Sequence, residues 1–263
     1  LNRKQRFWRN FSAVFVLVLG LLLPSTATLA QFNGHPVVIP PIVANNRSFG
    51  PTRPYGNTYG EWSAEWWKWA YSLPANNHPL TETADCSAGQ TGPVWFLGGT
   101  FAAPSETAPN VLLGQANRSC NIPSGKALFF PIINAECAQL EGNGATDAEL
   151  RPCAKFLIDH ATELEATLDG FSLRNLEDYR VQSPLFTYGP LPANNLLLAG
   201  GNTDATPGAT SPAVSDGYFL MLAPLSARTH TLHFGGKAVF TQARDGFDFT
   251  FILDITYQLN VVP

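Results

Sequence analysis

The run at residues 247–262 carries the pattern that most constrains the fold. Eight apolar side chains recur there at every second position, from Phe247 to Val261. A period of two places these side chains on one face of an extended strand and the residues between them on the other face. The sequence therefore predicts a long, half-buried strand with one face against a hydrophobic core.

Shorter apolar and β-branched runs, separated by turn residues, predict further strands. Asp169-Gly170 is a hairpin turn signal between two of them. The predicted strands cover residues 94–97, 127–133, 164–168, 218–222 and 229–234. Because no regular alternation of strands and helices occurs, the pattern favours a mainly β chain folded as an antiparallel β-sandwich, immunoglobulin-like or jelly-roll-like, over a doubly wound parallel sheet.

Two segments have helical periodicity and are predicted to flank the sandwich. In residues 61–73, Trp62, Trp66 and Trp69 form one stripe, and Pro74 ends the helix. Residues 146–161 form the second helix. Its start resembles a capping box, with threonine three residues before glutamate, although Pro152 disturbs the first turns.

Residues 1–30 have the pattern of a cleavable signal peptide. A basic segment precedes an uncharged apolar run at residues 11–23, which is too short to span a bilayer comfortably. Small residues at Thr28 and Ala30 predict cleavage before Gln31. The alternative is a retained amphipathic anchor. No cysteine precedes Cys86, so a lipid-modified amino terminus is excluded, and we expect a secreted or periplasmic protein without a transmembrane segment.

Cleavage would leave an acidic chain. The removed segment holds four of the 16 basic residues and none of the 20 acidic residues. Counted from charged side chains, the net charge therefore falls from −4 to about −8. Nucleic acid and anionic membrane surfaces would repel such a chain. We expect an irregular lead-in at residues 31–56, followed by a single β-sandwich domain at residues 57–263.

Four cysteines in a chain bound for an oxidising compartment are expected to pair. Three pairings are possible. We favour Cys86 with Cys120 and Cys137 with Cys153, because each bridge closes a segment with turn signals and the two loops do not interlock. A zinc site is the alternative, but the sequence contains no C-x-x-C spacing.

The helix at residues 61–73 also supplies the candidate ligand contacts. Trp67 lies about 100° beyond Trp66 at ~3.6 residues per turn, on the side shared with Tyr71, so this pair lies outside the predicted buried stripe. Exposed aromatic rings suit the apolar faces of sugars. Glu61 and Glu65 could be a carboxylate pair for glycoside hydrolysis or calcium binding, but two residues one turn apart on a helix are more often solvent-facing charges.

Histidines offer two further candidates for a metal site. His230 and His233 are three residues apart in a predicted strand, so they face opposite sides of a sheet and cannot share one ion without a bulge. His78, Glu82 and Asp85 form a loop cluster that could bind a cation. Packed or hydrogen-bonded side chains are the ordinary interpretation, and no metal or cofactor is predicted.

The sequence contains none of the common nucleophile, phosphate-loop or dinucleotide motifs. A triad assembled from distant positions stays open, because triads are defined by geometry. We therefore expect a monomeric extracytoplasmic module that binds a glycan or another envelope component, leaning away from an enzyme. The alternatives are a secreted carbohydrate-active hydrolase that uses Glu61 or Glu65, and a structural surface protein without a small ligand.

Three segments resemble recurring segments of a family of secreted bacterial proteins. They are GEWSAEWWKWAYSLP at residues 60–74, SGKALFFPIIN at residues 124–134 and SDGYFLMLAPLSARTHTLHFGG at residues 215–236. The resemblance covers most of the chain after residue 30 but implies no activity, ligand or catalytic residue. The last strands are also similar to those of immunoglobulin-like modules, which bears on the fold alone.

Overall fold

The computed structural model describes residues 31–32, 35–45, 48–76, 78–80, 86–100, 103–104 and 108–263. The predicted signal peptide lies outside these residues. None of the helices in the described ranges is both long enough and apolar enough to cross a membrane.

Strands make up most of the regular structure, and the prediction of a mainly β chain is confirmed. In chain order the strands are β1 (Gln31–Phe32), β2 (His35–Pro36), β3 (Val38–Ile39), β4 (Ile42–Asn45), β5 (Ser48–Pro51), β6 (Val94–Phe96), β7 (Ala103–Pro104), β8 (Val111–Pro123), β9 (Ala127–Ala138), β10 (Ala161–Leu168), β11 (Phe171–Ser172), β12 (Arg180–Gln182), β13 (Phe186–Tyr188), β14 (Ser211–Leu222), β15 (Thr229–Phe240) and β16 (Phe249–Val262). The α-helices are α1 (Tyr59–Ser72), α2 (Asp147–Ile158), α3 (Leu196–Ala199) and α4 (Gln242–Asp245).

Two larger sheets hold the long strands. The first sheet has the order β11-β10-β15-β16-β8-β7. The second sheet has the order β12-β14-β9-β6, and β13 and β3 also pair with β14. Two short hairpins, β1 with β2 and β4 with β5, precede them in the chain.

The prediction that all strands pair antiparallel is wrong at two places. β8 runs parallel to β16 along its whole length, and β6 runs parallel to β9. Both sheets are therefore mixed. A period of two in the sequence reports which side chains share a face, and it contains no information on the direction of the neighbouring strand.

The second sheet lies between the first sheet and α1. On one side, the Phe130 ring of β9 packs 5.9 Å from the Phe234 ring of β15. On the other side, the Phe129 ring packs 5.6 Å from the Tyr59 ring of α1. Every residue of β9 is buried as a result, which explains why its sequence is a continuous apolar run instead of an alternation.

α1 is the helix that the tryptophan stripe predicted. It begins with a complete capping box, in which Thr58 Oγ1 accepts from the Glu61 amide at 3.2 Å and the Glu61 carboxylate accepts from the Thr58 amide at 2.6 Å. The helix ends just before Pro74, as expected. Of the three tryptophans predicted to anchor the helix, Trp66 and Trp69 are buried and Trp62 is half-buried. The Trp69 ring packs 5.7 Å from the Phe96 ring of β6 in the second sheet.

Both disulfide bonds match the favoured pairing. Cys86 is bonded to Cys120, and Cys137 is bonded to Cys153. The second bond joins β9 to α2, which also packs on β14. Two disulfides are typical of proteins in oxidising compartments.

The lead-in is more ordered than the prediction of an irregular segment implied. Val38 and Ile39 pair with Leu222 and Met221 and so extend the second sheet. The Tyr59 hydroxyl fixes this strand, since it donates to the Ile39 carbonyl and accepts from the Met221 amide. Pro40 lies outside the paired positions, where a missing amide hydrogen costs no ladder bond.

Candidate functional site

Trp67 and Tyr71 are not on the surface, which corrects the expectation that they lie outside the buried stripe. Their exposed fractions are 0% and 1%. The two rings are 5.3 Å apart, and the Tyr188 ring of β13 packs 4.5 Å from Tyr71. α1 packs on β13 at the margin of the second sheet as well as on β12 and β14. More than one arc of the helix is therefore buried.

Glu61 and Glu65 lie at the surface in ordinary ion pairs. Glu61 contacts Arg53 at 2.8 Å in addition to capping α1, and these bonds, led by that from the Thr58 amide, lower its pKa. Glu65 contacts Lys68 at 2.8 Å. Neither carboxylate faces a second acid across a cleft in the described residues, so the geometry favours the solvent-facing interpretation over glycoside hydrolysis.

Two glutamates in the described part of the chain, Glu136 and Glu141, are buried, and no sequence pattern pointed to them. Both lie in the interior, beside α1, with exposed fractions of 4% and 5%. Glu136 Oε1 accepts from the Tyr71 hydroxyl at 2.7 Å, and Glu141 Oε1 accepts from the Tyr188 hydroxyl at 3.5 Å. The carboxyl groups also contact each other. We call these two residues the acid pair.

Burial controls the ionisation of the acid pair. It raises the pKa of Glu136, and together with the charge of Glu136 it raises the pKa of Glu141 well above its usual range. Two carboxylates in contact inside a protein repel each other, so the pair holds its last proton more tightly than an isolated glutamate does. The shared proton allows Glu141 to donate a hydrogen bond to Glu136.

The outer face of the first sheet carries an array of polar side chains. Three strands contribute one side chain each to three consecutive rows, because the register aligns β15 with β16 and β16 with β8. The rows are Thr229, Asn260 and Asn121; Thr231, Gln258 and Ser119; His233, Thr256 and Asn117. All nine are exposed or half-buried. We call this array the polar grid.

Side chains of the polar grid are linked by hydrogen bonds. Thr229 Oγ1 donates to Asn260 Oδ1 at 2.9 Å, and Thr231 Oγ1 donates to Gln258 Oε1 at 3.1 Å. The Asn260 amide reaches both Ser119 and Asn121 at 3.2 Å. Such links hold the amide and hydroxyl groups in fixed orientations, so an incoming ligand meets a pre-organised set of donors and acceptors.

Alternating polar residues in β16 and β8 are the trace of the polar grid in the sequence. In β16 the residues between the apolar positions include Thr256, Gln258 and Asn260, and in β8 polar residues alternate from Gln115 to Asn121. Each alternation shows one polar face. Only the pairing of β8 with β16 shows that the two polar faces are the same face.

His230 and His233 lie on opposite faces of the first sheet, as predicted. His233 belongs to the polar grid and contacts Asp254 at 3.0 Å. His230 is buried, and its Nδ1 donates to Asp169 at 2.7 Å.

Ser226 completes an arrangement that resembles a serine-histidine-aspartate triad. Its Oγ lies 3.4 Å from His230 Nε2, but the Ser226 carbonyl oxygen lies closer, at 2.9 Å. Nε2 is thus nearer to a carbonyl oxygen than to the serine hydroxyl, while Nδ1 contacts Asp169 at 2.7 Å. This geometry matches a polar connection that holds the loop between β14 and β15 better than it matches a catalytic triad.

His78 is the described member of the predicted loop cluster, whose other two residues, Glu82 and Asp85, lie outside the described residues. Its Nδ1 accepts from the Leu80 amide at 3.0 Å, and its Nε2 donates to the Ala70 carbonyl at 2.9 Å. The ring is therefore neutral. Burial, reinforced by the charge of Arg118, lowers its pKa to about 4.

The low pKa of His78 predicts acid destabilisation. The stabilising effect of the neutral ring is complete above the unfolded pKa of 6.5 and is lost as the pH falls towards 4. A shift of this size corresponds to roughly 3 kcal/mol. We expect the free energy of unfolding to fall over this range in urea titrations, and to fall much less in His78→Gln. An equal pH dependence in both proteins would contradict the prediction.

One surface cavity lies beside the hairpin between β10 and β11 and has a volume of ≈ 410 Å³. Arg174 is its one charged residue. The cavity lacks the converging polar groups that orient a ligand. It is lined by Pro36, Val38, Gly170, Phe171, Ser172, Leu173 and Arg174.

Metal binding finds no support in the described part of the chain, where no group of three or more His, Cys, Asp or Glu side chains could hold an ion. No family model, curated protein or solved structure matches the chain. The resemblance to a family of secreted bacterial proteins stays a prediction. The candidate sites are therefore the polar grid and the acid pair.

Proposed function

We propose that this protein is an extracytoplasmic binding module that holds a neutral glycan on the polar grid. The observation that carries the proposal is the alignment of nine amide, hydroxyl and imidazole side chains in three rows on one uncovered sheet face. Sugars present hydroxyl groups that both donate and accept, so they pair with amides and hydroxyls equally well. The proposal also interprets the two facing sheets as a β-sandwich flanked by α1 and α2.

Charge supports a neutral ligand. The rows formed by Thr229, Thr231 and their partners contain no charged side chain. Acidic residues lie near both ends of the grid: Asp254 and Glu165 at the His233 end, and Asp169, which forms an ion pair with Arg228, beside Thr231. A polyanion would gain no ion pair from the grid and would meet an acidic protein. Export through the predicted signal peptide would place the grid where cell-surface glycans occur.

Hydrolysis has less support than binding. Glu61 and Glu65 are engaged in surface ion pairs. The carboxyl groups of the acid pair touch each other, whereas the two carboxyls of a glycosidase are separated by about 5 Å or more to flank the scissile bond.

A glycan array probed with the chain from residue 31 onward tests the proposal, and we expect binding to neutral glycans. Gln258, at the centre of the polar grid, should be replaced by alanine. Loss of one or two hydrogen bonds predicts an affinity about tenfold lower. Because Gln258 is a surface residue of the sheet, its replacement should change stability by no more than about 0.5 kcal/mol.

Gln139→Ala provides the matched control, since Gln139 is an exposed glutamine outside the grid. It should bind as the unmodified protein does. Absence of binding to every glycan, or equal affinities of the Gln258→Ala and unmodified proteins, would refute the proposed function.

A further inference from the structure

Three aromatic rings lie beside the acid pair. Tyr71 from α1 and Tyr188 from β13 contact the two carboxyl groups, and Trp67 packs against Tyr71 one helical turn away. We call these three rings the aromatic wall. Glu136 forms no ion pair with a basic side chain in the described chain. Its negative charge is therefore balanced by the shared proton and by hydrogen bonds alone.

A second, independent observation is that buried polar atoms near the acid pair lack hydrogen-bond partners. Asn134 has an exposed fraction of 0%, and neither its Oδ1 nor its Nδ2 has a hydrogen-bond partner. It is two residues from Glu136 on β9, so both side chains are on the face of the sheet that packs on α1. Oε2 of Glu136, apart from the shared proton, and Nε1 of Trp67 also lack partners.

Unpaired buried polar atoms are costly, and native proteins satisfy almost all of them. Here two of the unpaired atoms, Asn134 Oδ1 and Glu136 Oε2, are acceptors that lie on one strand face. A ligand that donates several hydrogen bonds and carries a positive charge would satisfy both. Aromatic faces attract the same charge, most strongly where water is excluded.

We infer that the space between α1 and the second sheet binds a small primary ammonium ion, held by Glu136 and Asn134 and enclosed by the aromatic wall. An ammonium group has three N–H donors and matches the two unpaired oxygens. A divalent metal ion would need more oxygen ligands than two carboxylates and one amide provide. The inference is independent of glycan binding on the polar grid, which lies on the other sheet.

Binding exchanges one cation for another. Before binding, the acid pair holds one proton and one negative charge. When the ammonium ion binds, the proton leaves to solvent, both carboxyl groups are ionised, and the ammonium charge balances the second carboxylate. The titratable groups that face Glu136 are Glu141, Tyr71 and Tyr188. Burial and the nearby carboxylates raise the pKa of both tyrosines, so they stay protonated and the released proton comes from the acid pair.

Isothermal titration calorimetry with propylammonium chloride tests the inference on the chain from residue 31 onward at pH 7. Two buffers with different ionisation enthalpies report proton release. We expect saturable binding with release of about one proton per ion bound. Potassium chloride at the same concentration is the control for ionic strength and should give no saturable heat.

Glu136→Gln removes the charge and keeps an acceptor for Tyr71. Loss of a charge-assisted hydrogen bond predicts affinity about 10- to 100-fold lower, and proton release should disappear. Glu177→Gln, at an exposed glutamate, is the matched control and should bind as the unmodified protein does. Trp67→Phe is the second variant, for the case in which Glu136→Gln fails to fold. It keeps a ring in the aromatic wall, and we expect it to bind propylammonium more weakly than the unmodified protein does.

Absence of saturable binding at propylammonium concentrations up to about 10 mM would overturn the inference. The binding free energy would then be weaker than about 3 kcal/mol. The inference would also be overturned by equal binding of potassium, binding without proton release, or unchanged affinity in both Glu136→Gln and Trp67→Phe. Because the polar grid is not involved, none of these results bears on glycan binding.

Discussion

Replacement of Cys86 and Cys120 together by alanine is expected to lower the free energy of unfolding by about 4 kcal/mol, because a bond closing a loop of this length restricts the unfolded chain by that amount. The two residues are separated by 34 positions in the sequence. Both cysteines are buried, and Cys120 lies on β8 of the first sheet. Urea unfolding monitored by tryptophan fluorescence measures the loss.

The second disulfide is the internal control. Cys137 and Cys153 are separated by 16 positions, so their replacement by alanine should cost about 3 kcal/mol on the same entropic argument. The larger loop should therefore show the larger effect. A loss below about 1 kcal/mol in the Cys86 and Cys120 variant would show that chain entropy does not dominate at this bond.

Trp66→Ala is expected to lower the free energy of unfolding by about 3–5 kcal/mol, the usual cost of removing a large aromatic ring from a core. The Trp66 side chain has an exposed fraction of 0%. Its ring packs 4.9 Å from Trp67 and 5.8 Å from Trp69. The truncation therefore leaves a cavity beneath α1 that neighbouring rigid rings cannot fill. Thermal and urea unfolding provide two measurements of the loss.

Trp62→Ala, on the same helix, is the matched control. Trp62 is half-buried, and its Nε1 donates to the Pro54 carbonyl at 2.8 Å. We expect a smaller loss than at Trp66, since part of the ring is already in contact with water. Equal losses at the two positions would mean that the burial of Trp66 does not determine the stability of the α1 packing.

Local patterns predicted the secondary structure well. The tryptophan stripe located α1, and the threonine and glutamate at positions 146 and 149 located the start of α2. Asp169-Gly170 forms the turn between β10 and β11, as expected. These signals depend on residues close together in sequence, so no knowledge of distant partners is needed.

Sequence reasoning failed where a partner from far along the chain decides the outcome. Trp67 and Tyr71 lie outside a single buried arc of α1, yet Tyr188, more than a hundred residues away, packs on Tyr71, which in turn packs on Trp67. The acid pair was not recognised for the same reason. Glu136 comes after the predicted strand at residues 127–133, and Glu141 lies in the short turn after β9. Their burial depends on contacts with Tyr71 of α1 and Tyr188 of β13, which are distant in sequence.

The sequence alone determined that the chain is mainly β and that helices α1 and α2 form, because periodicity, caps and turn residues act over short distances. It favoured one of three cysteine pairings, and the structure contains that pairing. The tertiary structure decided that β8 lies parallel to β16, and hence that two separate polar faces join into the polar grid. It also decided that two glutamates share one buried space. Strand order and burial depend on the packing of distant segments, which local pattern does not encode.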